Sequence, residues 1–311
     1  QELREAGIQN KIFILGNVDR GDKEAVAWII QNEIDVAVYD RDFLEVLNTV
    51  GISMKKQARV HVKVDTGMSR FGVHHEKAVE YVPYAQSFPW ITLLGIYTHL
   101  AVADEPDDFT QRQICLFKNI LNKLHEKNIT IPLQRIYNTA GMFQKEFFGN
   151  AARLGIGLYG SFPSRWIKEK AHKEHPTFVL EPALSWKTKV IQIKQVSLGS
   201  SISYGRTHTV KTDTTLALIP VGYSDGYDRR CSNTTEVIIH GTRFPVVGRV
   251  CMNQTMVDVS AISDVRVGDT VTLIGTDGSE TISVDELAEK ISTINYEIVT
   301  RINPVLPRVY V

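Results

Sequence analysis

Short apolar runs alternate with helix-like segments through the first half of the chain, and this alternation is the strongest constraint on the fold. Six runs rich in β-branched residues are candidate strands, at residues 11–16, 35–39, 59–64, 91–100, 131–138 and 152–160. Between them, apolar side chains recur at helical spacing in residues 24–33, 42–50, 76–86 and 109–127. Repeated β–α units with nearly continuous apolar strands predict a buried parallel sheet. Their spacing favours a TIM-like (β/α)8 barrel whose first two units are missing from this sequence over an open doubly wound sheet.

The pattern changes after residues 161–181, which are rich in charge and contain prolines. Beyond them, short alternating runs separated by turn residues predict an antiparallel barrel or sandwich. Residues 283–293 add one helix, with Ser283 as its N-cap to Glu286. We therefore expect a (β/α) barrel domain at residues 1–175 and a mostly antiparallel β domain at residues 176–311.

Charge and cysteine content exclude several classes of function. Lys and Arg total 35, as do Asp and Glu, so the chain lacks the net positive charge typical of nucleic-acid binding, and a small-molecule partner is expected. Its three cysteines have no CxxC spacing, which indicates a reducing compartment and neither a disulfide framework nor a zinc site. No apolar run reaches the roughly 18–20 residues that a membrane span needs. The chain opens with Gln1, and its first residues resemble the end of an amphipathic helix, so we expect an N-terminal segment before it.

Polar residues gather where the predicted barrel strands end, and the carboxyl ends of barrel strands are where such folds place their chemistry. We expect these side chains to converge on one mouth: Lys63, Arg70, His99, Asp104, Asn138, Thr139 and Arg153. The run 153–160 (RLGIGLYG) is suited to phosphate, because glycines let backbone N–H groups approach an anion. The alternative is that these glycines serve tight strand packing, and each polar residue taken singly has a structural alternative.

Eight segments occur together and in order: KVDTGMSRFGV, YTHLAVADE, YNTAG, RLGIGLYG, SYGRTHT, IPVGYSDGYDRR, VGRVCM and INYE. This set resembles the alanine racemase family. The resemblance implies an enzyme that uses pyridoxal 5'-phosphate, racemises a small amino acid and forms a homodimer with active sites shared between subunits. It also implies a barrel domain followed by a C-terminal β domain.

The resemblance implies a role for each matching residue. Tyr204 matches the base that acts from the neighbouring subunit, and His99 belongs to a hydrogen-bond network that reaches Arg153. Arg153 itself faces the pyridine nitrogen of the cofactor and disfavours its protonation. Arg70 lies near the cofactor's phenolic oxygen and the substrate carboxylate, and Lys63 matches a lysine that is carbamylated in some members.

Other matches concern the phosphate, the substrate pocket and the approach to the site. Phosphate contacts are implied for Thr139, Gly155, Ile156 and Tyr223. Met252 lines the substrate side, and the corridor through which substrate arrives is implied for Asp104, Arg229 and Arg249.

The sequence departs from the family pattern in three ways. The family's cofactor lysine has no counterpart, so either the first barrel units lie outside this sequence or the protein is an inactive binder of pyridoxal phosphate. Asn303 and Pro304 stand where a pocket tyrosine is usual, which leaves room for serine as a substrate. Asn253 and Arg135 replace an aspartate and a histidine that are common in the family.

The pocket changes resemble the serine/alanine racemase modules of vancomycin-resistance proteins, in which a membrane-spanning region precedes the racemase. We therefore expect a cytoplasmic protein, with attachment to a membrane domain as one possibility, that supplies D-amino acids for peptidoglycan precursors. A fold type III amino-acid decarboxylase is the other alternative, and the SYGRTHT and GYSDGYDRR segments argue against it.

Overall fold

The computed structural model describes residues 1–144 and 147–311, which form two compact units, Gln1–Gly155 and Ile156–Val311. The expected domain boundary between residues 175 and 176 stays a prediction. Within the described residues, no helix combines the length and apolarity needed to cross a membrane.

The first unit consists of β–α units. Its helices are α1 (Glu2–Glu5), α2 (Lys23–Gln31), α3 (Arg41–Met54), α4 (Ala78–Gln86) and α5 (Phe109–Glu126). Its strands are β1 (Phe13–Ile14), β2 (Asp35–Val38), β3 (Ala58–Asp65), β4 (Val73–His74), β5 (Ile91–Tyr97) and β6 (Leu133–Arg135). Short 3-10 helices cover His75–Lys77 and Ala140–Phe143.

The strands of this unit form one parallel sheet in the order β1-β2-β3-β5-β6, with β4 beside β3. All four residues of β2 are buried, as a strand covered on both faces requires. Helix α3 begins at Asp40, whose side chain accepts the backbone N–H of Phe43, and ends at Lys55 in the left-handed conformation. The predicted parallel sheet is confirmed.

The sixth predicted strand, residues 152–160, is wrong. Only Ala151 makes a bridge, to Arg135, and Ile156–Tyr159 is a 3-10 helix. Gly160 has a φ of +78°, and a Cβ there would overlap the backbone of Glu181, so the chain bends sharply at a point that only glycine tolerates. Gly160 therefore serves a turn and not a strand.

The second unit is mostly antiparallel β-structure. Its strands are β7 (Trp186–Lys189), β8 (Gln192–Val196), β9 (Ser201–Ile202), β10 (His208–Thr209), β11 (Thr214–Ile219), β12 (Glu236–Ile239), β13 (Thr242–Pro245), β14 (Thr255–Asp258), β15 (Thr270–Asp277) and β16 (Glu280–Ile282). Its helices are α6 (Arg165–Glu174), α7 (Val284–Lys290) and α8 (Asn295–Arg301). Three further 3-10 segments are Ile156–Tyr159, Tyr204–Arg206 and Arg229–Cys231.

Three antiparallel sheets make up this unit. They have the strand orders β14-β11-β8, β13-β12-β15-β16 with β7 on β15, and β9-β10. The side chain of Ser283 accepts the N–H of Glu286, which confirms the predicted N-cap of α7. Helix α6 lies within the charged stretch 161–181, where no helix is predicted from the sequence, and it buries only Ile167 and Ala171.

Candidate active site

The carboxyl edge of the parallel sheet brings together three basic side chains. Lys63 lies near the end of β3 and is 4% exposed, and His99 follows the end of β5. Arg153 reaches the same edge, where its Nη2 donates to the carbonyl oxygens of Thr98 at 2.6 Å and Ile136 at 3.4 Å. These contacts tie the arginine to the segments that follow β5 and β6.

The charges at this edge repel one another. Burial and the positive charges of Arg70 and Arg153 together lower the pKa of Lys63 to about 8. Burial and the same two arginines, together with Lys63, lower the pKa of His99 to about 4, so this imidazole is neutral at physiological pH. Such a cluster of like charges is suited to bind an anion.

One hydrogen-bond donor of Arg153, its Nη1, has no acceptor in the described part of the chain. Burial lowers its pKa to about 10, so the guanidinium keeps its charge at neutral pH. Its Nη1 is buried and has no hydrogen-bond partner among residues 1–144 and 147–311. An unpaired buried donor costs free energy until a ligand supplies a lone pair, and an aromatic ring nitrogen is such an acceptor. The residue therefore fits the pyridine nitrogen of pyridoxal phosphate.

A hydrogen bond joins Thr139 to Gly155, two residues after Arg153. The Oγ1 of Thr139 accepts the N–H of Gly155 at 2.9 Å, and the hydroxyl of this buried threonine can still donate its hydrogen to an acceptor. A Cβ at Gly155 would meet nothing within 4 Å, so open space lies beside this glycine. Ile156, the next residue, is buried at the start of a 3-10 helix in the second unit. Thr139 thus offers a donor to a phosphate, and Gly155 leaves room beside it.

Arg70, Asp104 and Asn138 complete the predicted set in this unit. The Arg70 guanidinium carbon lies 5.5 Å from the ring centroid of Phe71, which also carries the Lys63 Nζ at 4.1 Å. Asn138 accepts the N–H of Gly141 and so caps a 3-10 turn. Asp104 is half-buried in the loop after β5.

Beneath this edge lies a buried polar network that sequence analysis missed. His61 is fully buried in β3, with its Nε2 3.0 Å from Asp35 and its Nδ1 3.1 Å from the Nη1 of Arg135. The Nε of Arg59 donates to the other oxygen of Asp35 at 2.6 Å. Burial favours the protonated Asp35, but the hydrogen bonds from His61 and Arg59 outweigh it and hold its pKa low. The alternation of Arg59, His61 and Lys63 along β3 was the available signal, because side chains two residues apart share a face.

In the second unit, two loops and the chain end bring Tyr223, Met252 and Asn303 together. The N–H of Tyr223 donates to the carbonyl of Cys251 at 3.1 Å, next to Met252. The N–H of Asn303 donates to Asp225 at 3.0 Å, and its Nδ2 donates to Ser224 at 2.9 Å. Tyr223 and Met252 are 45% and 59% exposed, so both present side chains to a ligand. Pro304 follows directly on the exposed side of this cluster.

Arg229 and Arg249 lie in neighbouring loops of the same unit, because the Ser232 Oγ donates to the Arg229 carbonyl oxygen and accepts the N–H of Val250. A cavity of about 640 Å³ is lined by Tyr223, Gly226, Asp228, Arg229 and Arg301. Arg249 packs over Gly205, next to Tyr204, which is 71% exposed. The predicted residues of the second unit are therefore largely on its surface, where they can meet a ligand or another subunit.

Comparisons with known proteins agree with this geometry. A model of the alanine racemase N-terminal domain matches residues 1–163, and one of the alanine racemase C-terminal domain matches residues 183–310. Alanine racemase of Methanococcus maripaludis is 40% identical over 99% of this chain and 81% of its own length.

Solved structures give the same result. Alanine racemase from a D-cycloserine-producing Streptomyces lavendulae superimposes with a TM-score of 0.91 at 29% identity, covering 100% of this chain and 80% of that one. A histidine racemase from Leuconostoc mesenteroides gives 0.85 at 28% identity, covering 100% and 81%. These similarities confirm the expected α/β barrel followed by an antiparallel β domain.

Proposed function

This chain belongs to the alanine racemase family and is an isomerase that uses pyridoxal 5'-phosphate, and we propose that it interconverts L- and D-alanine, with serine as a second substrate. The observation that carries the proposal is the buried, unpaired Nη1 of Arg153 within a pocket of cations. The match to racemases over 99% of this chain supports a racemase over a decarboxylase, and the inactive-binder alternative is tested by whether the protein carries the family's cofactor lysine.

The residues of the pocket suit the proposed cofactor. Arg153 would donate to the pyridine nitrogen, and a permanently charged donor there disfavours ring protonation. Thr139 and Gly155 would contact the phosphate, with Ile156 and Tyr223 assigned to it by the family resemblance. When bound, the cofactor acts as an electron sink that acidifies the α-proton of an amino acid.

Tyr204 is the proposed base on one face of the substrate. Its exposed side chain is free to enter the site of a second copy, so we propose a homodimer with shared active sites. A tyrosine removes a proton only when nearby cations stabilise its phenolate. Arg153 and Arg70 would supply this positive electrostatic potential, acting through the neutral His99. Met252 and Asn303 would line the substrate pocket, with Pro304 beside them.

Lys63 is the proposed site of carbamylation. Only a neutral amine reacts with carbon dioxide, and burial among cations makes the neutral form of Lys63 accessible near neutral pH. Addition of carbon dioxide to Nζ with loss of one proton gives a carbamate anion, which would pair with Arg70. Arg70 would then be fixed to receive the substrate carboxylate.

We propose that Asp104, Arg229 and Arg249 line the corridor through which substrate arrives. A cytoplasmic location is also proposed, because Cys115, Cys231 and Cys251 are all free thiols. Attachment to a membrane domain and a part in vancomycin resistance rest on the family resemblance alone.

Replacement of Tyr204 tests the function. In a protein that carries the family's cofactor lysine, Tyr204→Phe removes only the hydroxyl, so racemisation of alanine should fall by about 100-fold or more while the cofactor absorbance stays as in the parent protein. Chiral chromatography of the reaction measures both directions. Tyr310→Phe is the matched control, since Tyr310 is 94% exposed in the same unit. Undiminished turnover in Tyr204→Phe would remove this residue as the base.

A further inference from the structure

The turn that presents Tyr204 has a strained backbone. We call Ser203–Thr207 the Tyr204 turn. Ser203 has φ 63° and ψ −175°, a region that essentially only glycine occupies. Gly205 and Arg206 also have positive φ values, 71° and 50°. Strain of this kind persists only where neighbouring groups hold the residue in place.

A second loop, Gly248–Cys251, holds the turn, and we call it the bracing loop. The Ser203 Oγ donates to the carbonyl of Arg249 at 2.6 Å. Gly248 has a φ of +74°, and a Cβ on it would lie 2.8 Å from both the Ile202 carbonyl oxygen and the Ser203 Cβ. Only glycine therefore allows the two loops to approach this closely.

Two further side chains fasten the loops together. The Asn233 Oδ1 accepts the N–H of Gly248 at 2.6 Å, and its Nδ2 donates to the Thr207 Oγ1 at 3.1 Å. The Arg249 Cζ lies 3.1 Å from the position that a Cβ on Gly205 would take. The Tyr204 turn is thus held at its beginning, middle and end.

We propose that Ser203 is a positioning residue for Tyr204, with Asn233 in support. The inference rests on the proposed role of Tyr204 as base. Because the Tyr204 side chain is 71% exposed, contacts within its own unit do little to orient it, and the backbone sets its direction. A displacement of about 1 Å in a reacting group can cost about 100-fold in rate. The hydrogen bond from Ser203 keeps the strained backbone conformation populated. It thereby holds the Tyr204 phenol in its reactive orientation.

Two substitutions at Ser203 separate this role from simple packing. Ser203→Ala removes the hydrogen bond and keeps the strain, so the turn should relax and kcat should fall by about tenfold or more. Ser203→Gly removes the hydrogen bond and the strain together, so the active conformation stays accessible and kcat should fall by only about threefold. KM should change by less than about twofold in both, because neither variant alters the substrate pocket. A packing role gives the reverse order, since glycine removes more atoms.

Hydrogen–deuterium exchange without substrate supplies a readout independent of turnover. Peptides that cover residues 201–209 should exchange faster in Ser203→Ala and in Asn233→Ala than in the parent protein, with no change outside this turn and the bracing loop that contacts it. Ser87→Ala is the matched control, because the Ser87 Oγ also donates to a backbone carbonyl, at 2.7 Å, on an unstrained helix end in the first unit.

The outcomes distinguish this inference from the proposed function. If Tyr204→Phe is inactive but Ser203→Ala matches Ser87→Ala in kcat and exchange, the inference on Ser203 is overturned alone. If Tyr204→Phe is fully active, the base assignment fails and the positioning role fails with it. If Ser203→Ala does not fold, a Ser203→Gly variant that loses more than about tenfold in kcat also overturns the inference.

Discussion

Replacing Lys63 by methionine should stabilise the protein at neutral pH when cofactor and carbon dioxide are absent. Lys63 is 4% exposed, and the positive charges of Arg70 and Arg153 act on its amino group. Methionine keeps most of the volume and removes the buried charge. The usual result of a core substitution is the opposite, because most of them destabilise.

The size of the expected gain in stability follows from the pKa of Lys63. A change from 10.5 to about 8 corresponds to about 3 kcal/mol against the charged form, at about 1.4 kcal/mol per tenfold. The Nζ also lies 4.1 Å from the Phe71 ring centroid, and losing this cation–π contact costs about 1 kcal/mol. The net gain for Lys63→Met at pH 7 is therefore about 2 kcal/mol.

The gain should depend on pH. Below pH 8 the lysine is charged in both states, so the folded parent protein bears the full cost. Between the folded pKa of about 8 and the ordinary 10.5, the unfolded chain binds more protons, so the stability of the parent rises with pH and the advantage of the variant shrinks. Above 10.5 the advantage is lost.

Urea unfolding of the cofactor-free protein measures this difference at several pH values between 7 and 10 in buffer free of carbon dioxide. Lys123→Met, on the exposed face of α5, is the control and should show no such trend. Added bicarbonate should stabilise the parent and leave Lys63→Met unchanged, because only the lysine can form a carbamate. A variant that is less stable than the parent at pH 7, or a difference independent of pH, would refute the reasoning.

Two other substitutions test the pocket and the buried network. Pro304→Tyr should lower the ratio of kcat/KM for serine over alanine by about tenfold, since the ring fills the space beside Asn303; Val305→Tyr, at an 83% exposed neighbour, is the control, and an unchanged ratio would contradict the pocket assignment. Gly95→Ala should destabilise by about 2–3 kcal/mol in urea, because its Cβ would overlap His61 Nδ1 and lie 2.9 Å from the Leu133 carbonyl oxygen. Gly16→Ala, where a Cβ meets nothing within 4 Å, is its control.

Local patterns predicted those parts of the fold that local physics determines. The apolar run of β2 and the N-cap of α7 follow from neighbouring residues, so the sequence indicates them directly. Helix α6 has few apolar side chains, and its charges suggest a linker, although Ser164 accepts the N–H of Ile167 and was an available N-cap signal. The strand predicted at 152–160 was wrong because Ile156–Tyr159 forms a 3-10 helix and the chain turns at Gly160.

The candidate site likewise contains residues that local sequence patterns could place and residues that they could not. Lys63 and His99 could be placed at one edge because parallel strands end together. The partners of His61 could not, since Asp35 lies 26 residues before it and Arg135 74 residues after it. The hydrogen bond from Ser203 to Arg249 in the bracing loop joins residues 46 positions apart, and no local sequence pattern predicts it.

In the buried network of Asp35, His61 and Arg135, the hydrogen bonds determine which ring nitrogen of His61 carries the proton. Arginine has no acceptor, so Arg135 must donate to the Nδ1 of His61, and the proton of the ring must then sit on Nε2 and face Asp35. Burial also lowers the pKa of His61, so the ring stays neutral and this order holds at physiological pH. Each hydrogen bond from Arg135 in β6 through His61 to Asp35 in β2 is donated toward the carboxylate, whose other oxygen accepts the Nε–H of Arg59. The buried negative charge of Asp35 is therefore paired on both sides, by Arg59 directly and by Arg135 through the His61 ring.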